Sequence, residues 1–499
     1  MRLQYGEKLD ASGRVDIGIP GGFENSSVTG RSRRDEFTAA GGGEETWQPS
    51  FGFRGFQYVE VTGTDEPLEL EAVPVGSDLA ETMQLEIEHP ELQWIVEAFT
   101  QTARNSWHGL PDQAPGKLAW STTTYRAAAP MLYQFGMASV FASWLDDIRL
   151  AQAPDGELTL IAPLGEPTGG MLVAPSSTGV YPFLVHRYWL TYGDRTVPEK
   201  HFDAVRRYVD WLVGKLRDGV ADDQFGDWYP PRPVSGPAAP EGGALVGTAY
   251  VIASLRDAAA IAEVVGESRQ AQAWRARADE LARRFTEVFL DPRAGAFHAG
   301  VDAGYRQTSN AVPLAFGLVP DQHVDRVVAN LAADVESKAR HLDTGAVGTP
   351  ALLYALSDHG RPDLAVAVLA QTTYPSYGHL RELGATTFWE SWEDTSRWRN
   401  DTTLSEPVRW LVERAAGIEP QEPGWARFRV HPRVAGALPA ARITLHTVRG
   451  RIDLAWRRRG NTLELDLRVP VNATAEIVLP DGQRREVGSG HYQLSAEMP

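Results

Sequence analysis

From about residue 90 to residue 416, apolar residues recur three and four positions apart, and the run is bounded on both sides by stretches that alternate residue by residue. A chain patterned this way packs many helices together between two β-rich ends. In HPELQWIVEAFTQTARNSW the helical spacing is carried by Leu92, Ile95, Val96 and Phe99. The segments MASVFASWLDDIRLAQ, HFDAVRRYVDWLVGKL, TAYVIASLRDAAAIAEVV, SRQAQAWRARADELARRFTEVF and VDRVVANLAADVESKA repeat it, separated by polar, aromatic and Gly/Pro-rich loops. No fixed period with a recurring motif is present, which disfavours a solenoid of identical units. Many antiparallel helices with long loops between them suggest a closed helical barrel or an irregular α-solenoid.

At the N-terminal end, GFQYVEVTG and LELEAVPV read as strands punctuated by GGFENSSVTG and AAGGGEET. At the C-terminal end, after AAGIEPQEPGW, period two returns in ARFRVHP, ARITLHTVRGRIDLAWRRRGNTLELDLRVP and TAEIVLPDGQRREV, with RGN and PDG as turns. The expected organisation is a partial N-terminal β-sandwich over 1–84, a helical barrel carrying the pocket over 85–418, and a C-terminal β-sandwich over 419–499. At 499 residues the chain exceeds the roughly 250 to 300 residues at which single cores stop growing, so several domains are required.

Composition narrows the function. The net charge is -17 and no dense Lys/Arg run occurs, so the electrostatic footprint of a nucleic-acid binder is missing. There are no cysteines, which removes disulfides, thiolate metal sites and a Cys nucleophile. The 12 His show no paired metal-ligand spacing, no P-loop or EF-hand loop is written, and GGG at 41–43 lacks the setting of a nucleotide fingerprint; no metal and no cofactor are expected. The start, MRLQYGEKLDASG, is polar, and no later run approaches the roughly 20 apolar residues that span a bilayer, so a cytoplasmic protein without a membrane partner is expected. The 15 Trp suit flat apolar sugar faces.

The strongest local signal is GATTFWESWED, in which Glu390 lies between Trp389 and Trp392. Glycosidases hold a carboxylate beside an apolar wall, because burial tunes its pKa while an aromatic face packs on the sugar. The alternative is a helix start, with Thr387 as N-cap and Glu390 closing a capping box.

This segment, together with HLDTGAVGTPALLYALSDHGRPDLAVAVLAQTTYPSYGHLREL before it, resembles the bacterial α-L-rhamnosidases. The resemblance extends over nearly the whole chain, through GGGEETWQPSFGFRGFQYVEVTG, FASWLDDIRLAQAPDGELTLIAP, FGDW, QTSNAVPLAFGLVP, AAGIEP and GWARFRVHP in order. It implies an (α/α)6 helical barrel flanked by β-sandwiches, inverting hydrolysis of terminal α-L-rhamnosides, a glycoside as substrate, and Glu390 as general base. Asp227 and Trp228 of FGDWYPP would line the pocket with Trp120, Trp389, Trp392, His341 and Tyr377. The resemblance begins partway through the family's N-terminal β-domain. An incomplete sheet is expected to be covered by the barrel or by a second chain, which keeps a homodimer open.

The chain departs from the family where the general acid belongs. In a stretch like DCPxRERLGWTGDA, aligned on Trp120, the acid Glu falls at Gly116, the Arg after it at Lys117 and a later pocket Asp at Thr123, leaving Asp112. A sugar-contacting His of the family is replaced by Asp401. A relocated acid is sought at Asp112, Glu406 or Asp394. Tyr125, Lys117, His108 and Thr122 to Thr124 are the new pocket candidates. Three readings follow: a rhamnosidase-like hydrolase using Glu390; a lyase moving protons through Tyr125 and Lys117; and a sugar- or small-molecule-binding protein without catalysis.

Overall fold

The structure, a computed structural model, describes residues 1–16, 33–66, 68–111, 118–163, 172–231, 238–396, 398–433 and 438–498. Its centre is a double ring of helices. The outer members are Pro90–Arg104, Ala138–Ala151, Thr196–Gly214, Ser268–Phe289, Asp321–Ser337 and Pro362–Leu369. Each leads into an inner member: Ser121–Gln134, Val180–Tyr192, Ala244–Val265, Gln307–Ala315, Gly348–Asp358 and Pro407–Trp410, the last continuing as a π-helical turn over Leu411–Ala416. Successive inner helices pack on one another, and the last packs on the first, so the ring closes.

Sequence decides which ring a helix joins. Ser268–Phe289 buries a single stripe, Ala271, Trp274, Ala278, Leu281, Phe285 and Phe289, and carries its charges outward as an outer helix must. Ser121–Gln134 is buried along its entire length, and its run of Ala127 to Ala129 lets neighbouring backbones approach. Ala244–Val265 is long and apolar enough to cross a membrane by length and composition, contrary to the expectation from sequence. Here it is an inner helix, with most of its length buried among other helices.

The five-stranded C-terminal sheet runs Gly490–Glu497, Thr462–Val469, Gly450–Arg459, Ala440–Thr447 and, at its edge, Met83–Ile87. That last strand precedes the barrel in the chain and pairs Met83 with Leu445 and Ile87 with Ala441. The expected border at 84/85 therefore falls inside a strand that belongs to the C-terminal sheet. A four-stranded sheet, Arg484–Val487, Thr474–Val478, Arg427–Val430 and Ile418–Pro420, completes this end of the molecule. The N-terminal sheet has Arg2–Gly6 between Arg34–Glu36 and Tyr58–Thr62, all antiparallel. LELEAVPV forms no strand; Leu68, Leu70, Val73 and Val75 are exposed, and Pro74 offers no N–H to a ladder.

Glu413, on the π-helical turn, ties the ring together. Its carboxylate accepts Tyr133 Oη at 2.9 Å, Tyr354 Oη at 2.9 Å and Arg409 Nε at 2.9 Å, and Arg187 stands 3.8 Å away. These groups come from four of the six inner helices. Although burial opposes its charge, the arginines around Glu413 hold its carboxyl down at about 2, against an ordinary 4.5. A depressed carboxyl contributes stability that is complete above the unfolded value and lost as pH falls through the folded one. Denaturation midpoints should thus fall steeply between pH 4.5 and about 2. Glu413→Gln should flatten that limb and cost about 3–5 kcal/mol at neutral pH, since it leaves buried arginines uncompensated; an unchanged urea midpoint would contradict the assignment.

Candidate active site

The inner helices begin at one end of the barrel, and hydrogen bonds between their starts show it. Thr122 Oγ1 meets Ser177 Oγ at 2.7 Å, Ser176 Oγ donates to Asp223 at 3.0 Å, Arg306 Nε reaches Glu241 at 3.0 Å, and Thr402 Oγ1 donates to the carbonyl of Thr123 at 3.2 Å. Helix N-termini carry unsatisfied N–H groups and partial positive charge, so carboxylates collect there. Burial pushes Asp223 up to about 6 and also raises Asp227 and Glu241, the last opposed by Arg306.

Glu390 enters this end on a loop, not a helix. Thr387 Oγ1 donates to the carbonyl of Arg399, the Phe388 amide donates to Thr102 Oγ1 at 2.7 Å, and the Glu390 amide donates to the carbonyl of Trp398 at 3.0 Å. The Glu390 amide, which a capping box would give to Thr387 Oγ1, goes to Trp398, and Thr387 Oγ1 is engaged by Arg399, so the local helix-start signal is overridden. The return arm is fixed by Asp401 N to the carbonyl of Phe388 at 2.9 Å and by Asn400 Nδ2 to Ser106 Oγ at 2.9 Å. Glu390 is buried within this two-armed loop.

The flanking indoles are not open sugar faces. Trp392 is fully buried, stands edge-on to Tyr377 at 5.1 Å and donates Nε1 to the carbonyl of Thr344 at 3.1 Å. Trp389 is buried beneath the Arg399 guanidinium, 4.2 Å from its ring. Tyr377 spends its hydroxyl on the carbonyl of Leu404 at 2.7 Å.

Asp227 serves the scaffold. It accepts Thr308 Oγ1 and the amides of Gly345 at 2.7 Å, Val347 at 2.9 Å and Gly348 at 2.8 Å, clamping the loop that starts the inner helix Gly348–Asp358. A Cβ on Gly348 would stand 2.7 Å from Asp227 Oδ2, so only glycine admits this clamp. The clamp joins Glu390's neighbourhood to FGDW, because Gly345 follows Thr344, the acceptor of Trp392. Trp228 is half-buried, edge-on to Phe225 at 4.8 Å. Trp120 caps Ser121–Gln134, its carbonyl accepting Thr124 Oγ1 at 2.9 Å and Thr123 Oγ1 at 3.2 Å.

The remaining candidates are placed as follows. Asp401 is buried and caps a short turn, accepting Thr403 N at 2.8 Å and Thr403 Oγ1 at 2.6 Å. His341 has both ring nitrogens engaged, by Lys338 O at 3.0 Å and Thr373 Oγ1 at 2.8 Å. Glu406 is held by Arg126 at 3.2 Å and Arg409 at 3.4 Å; Asp394 is exposed and paired with Arg399 at 2.6 Å. His108 stacks on Phe53 at 3.9 Å and meets the carbonyl of Val75. Tyr125 is buried against Phe183 and Tyr250, and burial raises its phenol well above the ordinary range. So firmly protonated a phenol is suited to donate a proton rather than to take one. Asp112, Gly116 and Lys117 lie outside the described residues.

A cavity of about 10 Å³, room for one water, adjoins Thr123 and Thr402. A larger one, about 210 Å³, lies between Tyr133, Tyr192, Trp425 and His446, at the far end of the helix that begins beside Trp120.

The closed double ring with β-domains at both ends defines a six-hairpin glycosidase fold, and comparison with known proteins agrees. Residues 80–415 match the bacterial alpha-L-rhamnosidase 6 hairpin glycosidase domain, 417–493 the C-terminal domain and 1–76 the concanavalin-like domain of the same proteins. The chain belongs to the bacterial α-L-rhamnosidase family. An alpha-L-rhamnosidase of Streptomyces avermitilis is 29% identical over 504 residues, covering 96% of this chain and 46% of the relative. One from Formosa agariphila is 26% identical, covering 96% and 52%. The chain thus spans about half the length of these relatives. The solved structure of alpha-L-rhamnosidase from Dictyoglumus thermophilum superposes with TM-score 0.90 at 24% identity, covering 99% of this chain and 59% of that one. The Streptomyces avermitilis enzyme complexed with L-rhamnose gives 0.84 at 26%, covering 99% and 49%.

Asp227→Asn should act through stability, because an amide nitrogen would face donors it cannot accept from. A loss of about 2–4 kcal/mol is expected, read as a lowered denaturation midpoint together with faster amide exchange at Gly345, Val347 and Gly348. A stable variant that lost only sugar binding would make Asp227 a ligand instead.

Proposed function

We propose that the chain is the barrel-centred part of an α-L-rhamnosidase-like glycoside hydrolase, acting on a terminal α-L-rhamnoside or a related glycoside by inversion. The observation that carries this reading is the pinned loop of Glu390 at the end of a barrel of this family. Glu390 is the general base that takes a proton from the attacking water. An inverting reaction needs a second carboxyl group roughly 6.5 to 9.5 Å away to protonate the leaving oxygen. Asp112 is the acidic residue remaining in the stretch where the family keeps its acid, and it is assigned that role. The protein acts in the cytoplasm, on a sugar ligand.

Against an aryl α-L-rhamnoside, Glu390→Gln should lower kcat about 100-fold or more while keeping L-rhamnose affinity, because the amide preserves shape but cannot accept the proton. Gly116→Glu should raise kcat if the family's acid position is restored. NMR of the first-formed sugar anomer reads the stereochemistry, and retention would refute inversion. L-Rhamnose binding with no turnover in wild type or in Gly116→Glu would replace the hydrolase reading with that of a binding protein.

A further inference from the structure

The loop that holds Glu390 has a partner that comes from the other end of the chain. Glu7 follows the strand Arg2–Gly6 of the N-terminal sheet, and its carboxylate accepts the Arg399 amide at 3.2 Å and the adjacent amide of Asn400. These are consecutive N–H groups on the return arm, beside Trp398, whose carbonyl accepts the Glu390 amide. Arg33, buried next to the strand Arg34–Glu36, stands over the Trp398 ring at 5.5 Å and 3.9 Å from the Glu7 carboxylate. The N-terminal β-region therefore grips the return arm at three successive residues, Trp398, Arg399 and Asn400.

We propose that Glu7 is a positioning residue for the loop of Glu390, fixing the return arm against which the Glu390 backbone is registered, so that the N-terminal sheet is part of the working site. Two neighbouring amides facing one carboxylate form charge-assisted hydrogen bonds, each stronger than a neutral one. The charged groups facing Glu7 are Arg33 from its own sheet and Arg399 from the loop, with Asp16 acting on Arg33. Burial outweighs both arginines and pushes Glu7 up to about 7, so the grip passes from its protonated to its ionised form near neutral pH. The ionised form accepts both amides more strongly and tightens the arm as pH rises.

The test uses the full chain as wild type, Glu7→Gln and Glu7→Ala, and reads two independent quantities. The first is hydrogen exchange of the Arg399 and Asn400 amides. Protection should fall about tenfold or more in Glu7→Ala, a value typical of losing a hydrogen bond to a charged acceptor, and less in Glu7→Gln, whose carbonyl oxygen still accepts. In the wild type, protection should rise between pH 6 and 8, and in Glu7→Gln it should not. The second is turnover of an aryl α-L-rhamnoside, where Glu7→Ala should lower kcat about tenfold with little change in KM and Glu7→Gln should restore part of it; this arm rests on the reading of Glu390 as base. Unchanged protection at Arg399 and Asn400 in Glu7→Ala, or a loss spread equally through the N-terminal sheet, overturns the proposal. If Glu390→Gln leaves turnover intact while those two amides still depend on Glu7, the clamp stands and the base assignment falls. If Glu390→Gln abolishes turnover while the amides ignore Glu7, the reverse holds.

Discussion

A single buried carboxylate closes the barrel. Twelve helices in two rings can be assembled by hydrophobic packing alone, but packing is tolerant of small slips, and a ring is shut only where its last member meets its first. Glu413 on the last inner helix accepts from Tyr133 on the first and Tyr354 on the fifth, with Arg187 of the second nearby. A charge removed from water is tolerated only when nearly all its partners are in place. That requirement makes the closure specific, since a shifted helix would strand both a carboxylate and an arginine.

The opposite end of the inner helices obeys the same rule with different chemistry. There the helix starts offer free N–H groups, and the sequence answers with acids in the connecting loops: Asp223 receives the amides of Ser176, Phe225 and Gly226, and Asp227 those of Gly345, Val347 and Gly348. Each acid fastens a loop to a neighbouring helix start. Residues up to 121 positions apart are thereby held at fixed relative positions, the condition a catalytic group needs before its own chemistry matters. Glu390 reaches this end on a loop gripped from three directions, by Thr102, by its own return arm and by Glu7.

Helical spacing made the barrel legible, because inner and outer helices differ in how much of their circumference is apolar, as Ser121–Gln134 and Ser268–Phe289 do. The hairpins of the C-terminal sheets were readable from alternation and from their turns at Gly460 and Asp481–Gly482. Local pattern misled where a distant partner decided the outcome. The Thr387 and Glu390 spacing carries a helix-start signal, yet Trp398 takes the Glu390 amide and Arg399 takes the Thr387 hydroxyl. The two tryptophans beside Glu390 look like sugar platforms in one dimension, but Thr344 and Tyr377 enclose Trp392 in three. Glu7 carries no local signal at all, since its meaning lies in two amides on the far side of the chain.

The strand Met83–Ile87 ends where the barrel begins, but its ladder partner is Ala440–Thr447, made after every barrel helix has been synthesised. During synthesis at ~5–20 residues per second, this strand waits for tens of seconds before Leu445 can meet Met83. Its alternate side chains, Met83, Leu85 and Ile87, are all buried in the finished protein and lack their ladder partner throughout that interval. Such a strand invites pairing with other nascent chains. Gln84 and Glu86 fill its outward positions, and the carboxylate of Glu86 opposes flat edge-to-edge association. A strand of the C-terminal sheet thus depends on timely completion of nearly the whole chain.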